Sequence, residues 1–269
     1  MLSHSKIELF KLQQNSPTWD EFHAPGFRGF ITASVVPDIL GYGYQSAHAR
    51  FRHCTGMRPI EHNPVALNIM NQGQEAEQEC LSYIANNCLY PDQILMKPGI
   101  IVAPNYPFLA ASLDAIVVGK NNLTNIEIKH YTKQWEEKEC AADYFPGTLS
   151  PKYLLQVQAQ MMCSGIEESH LILFDDLGCR IKATNFMHVF SIKQNTKIQQ
   201  AIAYHSYKFW NDINQEDSEI VKAQDNWRRI DTGTKKFILG LLQESVNNTN
   251  GLEVRYWGPT DEKNFKHHF

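Results

Sequence analysis

The sequence predicts an α/β (α+β) domain whose strands are flanked by helices before and after. Three observations carry that expectation. From Pro64 to Asn86 a helical period places Ala66, Ile69, Met70, Gly73, Glu77, Cys80, Leu81 and Ile84 at steps of three and four. From residue 93 the pattern shortens to apolar runs of strand length. Helical blocks then return at Lys152–Ser164 and Gln194–Ile213, with two more strand-length runs between them.

Taken in order, ITASVVPDIL (31–40) begins with Thr32 and Ser34, either of which would cap a short helix closed by Gly41. A second helix is expected over Ala47–His53, then the long one over Pro64–Asn86, whose mostly apolar face includes Glu77. Strands are expected at Ile94–Val102, Phe108–Val118 and Asn125–Tyr131, the last two joined by a turn at Gly119, Lys120, Asn121 and Asn122, a β-meander. Thr132–Pro151 reads as a charged loop with Pro and Gly. After the Lys152–Ser164 helix come strands His170–Phe174 and Ala183–Ile192, connected through Asp175, Asp176 and Gly178. Ile198, Ala201, Tyr204, Phe209 and Trp210 mark the apolar positions of the Gln194–Ile213 helix. Past Asn214 the chain turns polar, apart from Phe237–Leu242, Tyr256 and Trp257. The expected division is a domain over residues 1–213 and a C-terminal extension, 214–269, with no role assigned.

Composition narrows the classes of function. A formal charge of −4 argues against a protein that simply coats DNA, because such affinity comes mainly from Lys and Arg neutralising phosphates. An enzyme needs positive charge only along a channel, and carboxylates that hold cations add to the negative total. The six cysteines (Cys54, Cys80, Cys88, Cys140, Cys163 and Cys179) form no CxxC pair and read as free thiols of a reducing compartment. No run is apolar enough for a signal peptide or a bilayer span, so an intracellular protein, cytoplasmic or nuclear, is expected.

The sharpest chemical feature is Asp114 in LAASLDAIV, followed by Glu127 and Lys129 in NIEIKH. Positions i and i+2 of a strand share a face, so Glu127 and Lys129 project together, with Asp114 expected beside them on the preceding strand. Two carboxylates so placed repel each other unless a divalent cation lies between them, and hard oxygen donors suit Mg²⁺ or Mn²⁺. An adjacent ammonium can position a water and offset charge on a pentavalent phosphate. Gln156 and Gln158 lie two apart on a helix and cannot share one face; of the two, Gln156 is the one expected at the site.

Several segments in this order resemble the phage lambda exonuclease and YqaJ-like viral recombinase family of the PD-(D/E)xK nuclease superfamily. They are GFITAS (Gly29–Ser34) preceded by Trp19, HCTGM (His53–Met57), NQGQEAE (Asn71–Glu77), SLDAIV, IEIKH and YLLQVQAQM (Tyr153–Met161). The similarity spans residues 15–212.

The resemblance implies a restriction-endonuclease-like core, a central mixed β-sheet flanked by helices, and a metal-dependent exonuclease acting on linear double-stranded DNA, 5′ to 3′, leaving tails for recombination. It implies that Asp114, Glu127 and the Ile128 carbonyl ligate Mg²⁺ (or Mn²⁺), that Glu77 helps hold a second ion, and that Lys129 acts on the attacking water. Thr32, Ser34 and Gln158 would contact DNA. The family's arginine for a terminal phosphate falls where this chain has Phe27, leaving Arg28, or else Arg50 and Arg52, to supply that charge. A homotrimeric ring, or a monomer, and a single-strand annealing protein as partner are the assemblies implied. Two other readings use the same residues: a structure-specific or RecB-like endonuclease, and a non-catalytic DNA-binding relative. Trp227, Arg228, Arg229, Lys235 and Lys236 of the extension are further candidates for DNA or partner contact.

Overall fold

The computed structural model describes residues 8–10, 17, 21–22, 24–120, 122–130, 149–181, 186–215, 230–247 and 252–257. Its strands are β1 (Glu8–Phe10), β2 (Ile31–Thr32), β3 (Ile94–Met96), β4 (Ile100–Ala103), β5 (Tyr106–Ser112), β6 (Ala115–Val118), β7 (Leu123–His130), β8 (Glu168–Phe174), β9 (Met187–Lys193) and β10 (Leu252–Trp257). The helices are α1 (Val36–Ile39), α2 (Ala47–Cys54), α3 (Pro64–Asn87), α4 (Pro151–Ser164), α5 (Asp176–Arg180), α6 (Thr196–Gln215) and α7 (Thr232–Asn247).

The strands form a six-stranded sheet in the order β10-β9-β8-β7-β6-β3 and a four-stranded sheet in the order β1-β4-β5-β2. β7 and β8 run parallel at the centre of the larger sheet. Parallel neighbours cannot be joined by a hairpin, and here α4 lies in the crossover between them. Pro151 in the first turn of α4 and Gly165 at its end (φ +68°) delimit that helix.

β8 is apolar on both faces because both are covered. Leu171 and Leu173 join a core with Leu154, Leu155 and Val157 of α4. Ile172 and Phe174 join a second core with Ala76, Cys80 and Ile84 of α3. Each buried Leu, Ile, Val or Phe among these contributes about 1.5–3 kcal/mol. On β7, Ile126 and Ile128 belong to the α3 core. Alternation therefore turns Asn125, Glu127 and Lys129 toward the α4 face.

Two expected strands are each divided between the sheets. Ile94–Val102 breaks into β3 and β4 at Lys97, Pro98 and Gly99, where proline removes a ladder donor. Phe108–Val118 breaks into β5 and β6 at Leu113 and Asp114. Asp114 thus sits at a switch between sheets and not on a strand. The short helix also starts later than expected. Its N-cap is Val35, with no side-chain bond, because Thr32 is held in β2 by pairing with Ala110 of β5. The Thr32 and Ser34 hydroxyls bond each other instead, at 3.1 Å. Gly41 follows the helix at φ +74°.

Beyond residue 213, Ile238, Leu241 and Leu242 of α7 enter the α4-side core. Lys235 Nζ donates to the Gly41 carbonyl, and Tyr42 Oη to the Lys235 carbonyl. β10 adds an antiparallel edge to β9. Trp227, Arg228 and Arg229 lie outside the described residues, as do Trp19, Cys140 and the expected loop up to residue 148. Cys80, Cys88 and Cys163 are buried free thiols, while Cys54 and Cys179 are partly buried. Among the described residues no helix is long and apolar enough to cross a membrane.

Candidate active site

Where the two sheets part, a cleft of about 330 Å³ opens. Its walls come from Thr32, Ala33 and Ser34 of the β2–α1 segment, Met70, Gly73, Gln74 and Glu77 of α3, Ser112 and Asp114, residues 127–130 of β7, and Gln156 of α4. Asp114, Glu127, Lys129, Glu77, Gln156, Ile128, Thr32 and Ser34 therefore meet in one place.

The break at Asp114 has a local cause. β6 pairs with β7 only as far as Ala115 opposite Ile126. One step beyond, Asp114 Oδ2 accepts from the Ile128 amide at 2.7 Å, so the carboxylate continues the ladder where the strand stops. Glu127 is 2% exposed, and a buried carboxylate needs donors. It has three: Lys129 Nζ at 2.5 Å and Gln156 Nε2 at 2.6 Å on Oε1, and Gln160 Nε2 at 2.5 Å on Oε2. Glu77 accepts from Lys97 Nζ at 2.8 Å.

Burial, and then repulsion from Glu127 and Glu77, push the Asp114 carboxyl well above the usual carboxylate range, opposed by Lys129 and the Ile128 amide. Burial works against the Lys129 ammonium, but the Glu127 and Asp114 carboxylates outweigh it and hold its pKa above the ordinary lysine value. The cleft thus gathers three mutually repelling carboxylates, which a divalent cation would relieve. Among the described residues no three Asp, Glu, His or Cys side chains cage an ion by themselves. Two carboxylates and a backbone carbonyl, with water and phosphate completing the shell, are the kind of donor set that Mg²⁺ accepts.

Two expected contacts are absent from the cleft. Gln158 points elsewhere: its Nε2 donates to the Lys193 carbonyl and its Oε1 accepts from the Asn195 amide, a clamp between β9 and α6. Two positions along a helix put it about 200° around from Gln156, which is why only one of the pair reaches Glu127. Arg28 does not line the cleft; its carbonyl accepts from Trp210 Nε1 at 3.2 Å, tying this segment to α6. Arg50 is engaged by Asp38 at 2.5 Å, and Arg52 is not among the lining residues either.

Gln160, Lys97 and His130 were not foreseen. Gln160 stands four residues after Gln156 and so shares its face, a spacing the YLLQVQAQM segment already contains. His130 lines the cleft next to Lys129 and bonds Asp176 Oδ1 through Nε2 at 2.8 Å. Lys97 reaches Glu77 from the β3–β4 break, a contact without a local signal.

Comparison with known proteins matches residues 18–167 to the YqaJ-like viral recombinase domain. No curated protein matches the sequence. Among solved structures, LHK-Exo in complex with dAMP superposes with a TM-score of 0.55 at 22% identity, covering 72% of this chain and 93% of that one. The alkaline exonuclease LHK-Exo from Laribacter hongkongensis gives 0.53 at 21% identity, covering 76% and 96%. At these identities the likeness is one of fold, a PD-(D/E)xK-like core.

Proposed function

Because the chain belongs to the YqaJ-like viral recombinase family, we propose that it is a metal-dependent DNA exonuclease that hydrolyses one strand of linear duplex DNA, 5′ to 3′. The observation that carries this reading is the convergence of Asp114, Glu127, Lys129 and Gln156 on one open cleft. That cleft has room for a nucleotide, and LHK-Exo was solved with dAMP.

Asp114, Glu127 and the Ile128 carbonyl would hold Mg²⁺, or Mn²⁺ in its place, with Glu77 contributing toward a second ion. Bound there, the metal supplies Lewis-acid stabilisation of the phosphoryl oxygens and a more acidic water. The protein's own groups supply the rest. Lys129, kept as an ammonium by its two carboxylate neighbours, donates to the attacking water and to the phosphate oxygen where charge develops. Gln156 and Gln160 fix the Glu127 carboxylate so that it is already oriented when substrate arrives. Thr32 and Ser34, which also line the cleft, offer hydroxyls to a terminal or backbone phosphate. We assign this chemistry to residues 1–213. Double-stranded DNA is the substrate partner; a single-strand annealing protein and a homotrimer are the assemblies this role suits, inside the cell.

The test compares linear duplex, covalently closed circles and single strands, each linear form with 5′-phosphate or 5′-hydroxyl ends, in Mg²⁺. Digestion confined to linear duplex, lost in Lys129→Ala while that variant still binds DNA, is the expected result. Cutting of closed circles would move the assignment to an endonuclease, and undiminished digestion by Lys129→Ala would refute the site.

A further inference from the structure

Beside the cleft, at the start of α4, stands a cluster that the chemistry above does not use. Lys152 Nζ lies 4.1 Å from the centroid of the Tyr44 ring and 4.7 Å from that of Tyr153. It also donates to Tyr44 Oη at 2.5 Å. Lys129 Nζ is 5.5 Å from the centroid of the same Tyr153 ring. One tyrosine thus has two ammonium groups near its ring, one of them the lysine of the proposed catalytic centre.

Two features set this cluster apart from ordinary surface packing. Tyr44 is 74% exposed, the most exposed of the large hydrophobic side chains described. Yet the loop that carries it is braced: buried Asp38 accepts from the Gln45 amide at 3.0 Å and from Arg50 Nε at 2.5 Å. A large ring held in water on a fixed loop has lost freedom without gaining burial. Lys152 sits in the first turn of a helix, where the helix dipole disfavours a cation, so its position is not explained by helix stability.

We propose that Tyr44 and Lys152 form a bracket for the DNA strand entering the cleft: the exposed Tyr44 ring stacks on a nucleobase, and the Lys152 ammonium meets the phosphate next to the one at Lys129. The bracket rests on the nuclease assignment and deepens it, by selecting an unpaired nucleotide whose base is open to stacking. An aromatic face accepts any base, so the bracket reads strandedness and not sequence. The Lys152 ammonium, bonded to Tyr44 Oη, keeps a positive charge beside the stacking ring, where the phosphate of a stacked nucleotide would lie.

The test measures binding of a fluorescent single-stranded oligonucleotide by anisotropy, with Ca²⁺ in place of Mg²⁺. Tyr44→Ala is expected to weaken binding about tenfold while Tyr44→Phe and Tyr44→Trp stay close to wild type, as stacking requires. Lys152→Gln is expected to lower the slope of log K against log salt by about 0.7, one phosphate of a single strand. An abasic scan on the unaltered protein needs no variant to fold. One position should lose about tenfold, and at that position Tyr44→Ala should cost nothing further. A flat scan, or equal loss in Tyr44→Ala and Tyr44→Phe, overturns the bracket. Wild-type protein that digests duplex normally alongside a flat scan leaves the nuclease assignment standing; wild type that neither binds nor cuts DNA removes both.

Discussion

Gln160 offers a direct test of how the centre is held. It is fully buried; its Nε2 donates to Glu127 Oε2 at 2.5 Å and to the Ser112 carbonyl at 3.3 Å, and its Oε1 accepts from Asn125 Nδ2 at 3.4 Å. Methionine matches its length without the donor. Gln160→Met therefore removes one short bond to a buried charge, of about 1.5–3 kcal/mol, and two long bonds of smaller effect. In a chain of this size each kcal/mol moves the melting temperature by roughly 2–4 °C, so a fall of about 4–10 °C is expected in metal-free buffer. The cost belongs to the charge and not to the volume. In a Glu127→Gln background the same substitution should therefore cost about 1 kcal/mol or less, a coupling readable from a double-mutant cycle by urea denaturation. An unchanged melting temperature, or an equal cost in both backgrounds, would refute the claim that Gln160 compensates the Glu127 carboxylate.

Three further outcomes follow from particular groups. Asp114 has a folded-state pKa raised by burial and by its carboxylate neighbours, so the stability it contributes is present in acid and lost as pH rises through the raised value. Metal-free wild type should lose stability over that rise more steeply than Asp114→Asn. Mg²⁺ at about a hundred times its Kd should restore roughly 2.7 kcal/mol to wild type alone; equal responses by calorimetry would argue against Asp114 as a ligand. Gln156→Ala should lower kcat with modest loss of stability, whereas Gln158→Ala, losing its bonds to Lys193 and Asn195, should lower stability by about 1–3 kcal/mol and leave kcat alone; the reverse pattern would mean the two are misassigned. Glu168 is pulled down to about 2 chiefly by His170, then by Ser191, against the cost of burial. Its contribution is present above the unfolded value and lost as pH falls toward about 2, and because the side chain is 45% exposed Ser191→Ala should cost only a few tenths of a kcal/mol at pH 6, vanishing in acid titrations.

The comparison of sequence with structure separates along the range of the interactions involved. Helices α3, α4 and α6 were legible to within a few residues because a 3.6-residue period reports burial of one face whatever lies opposite. The failures sit where burial does not distinguish partners. Phe108–Val118 is apolar apart from Ser112 and Asp114, and a single carboxylate in a strand-length run does not say that β5 and β6 on either side of it belong to different sheets. Thr32 reads as a helix cap by its chemistry, but pairing with β5 claims it first.

Within the candidate site the same division holds. That Glu127 and Lys129 share a face is a matter of strand geometry, two residues apart on one backbone, and is legible in the chain alone. Helical spacing likewise allows only one of Gln156 and Gln158 to reach them, and the ordered segments carry the family. Long-range packing set the rest: Asp114 stands at a break and caps the Ile128 amide, Gln160 completes the support of Glu127, and Lys97 pairs with Glu77. These contacts join residues 14, 33 and 20 positions apart. Their meeting depends on how the β7–α4–β8 crossover and the two sheets close around the cleft. A local pattern records which side of an element is buried; it does not record which residue waits there.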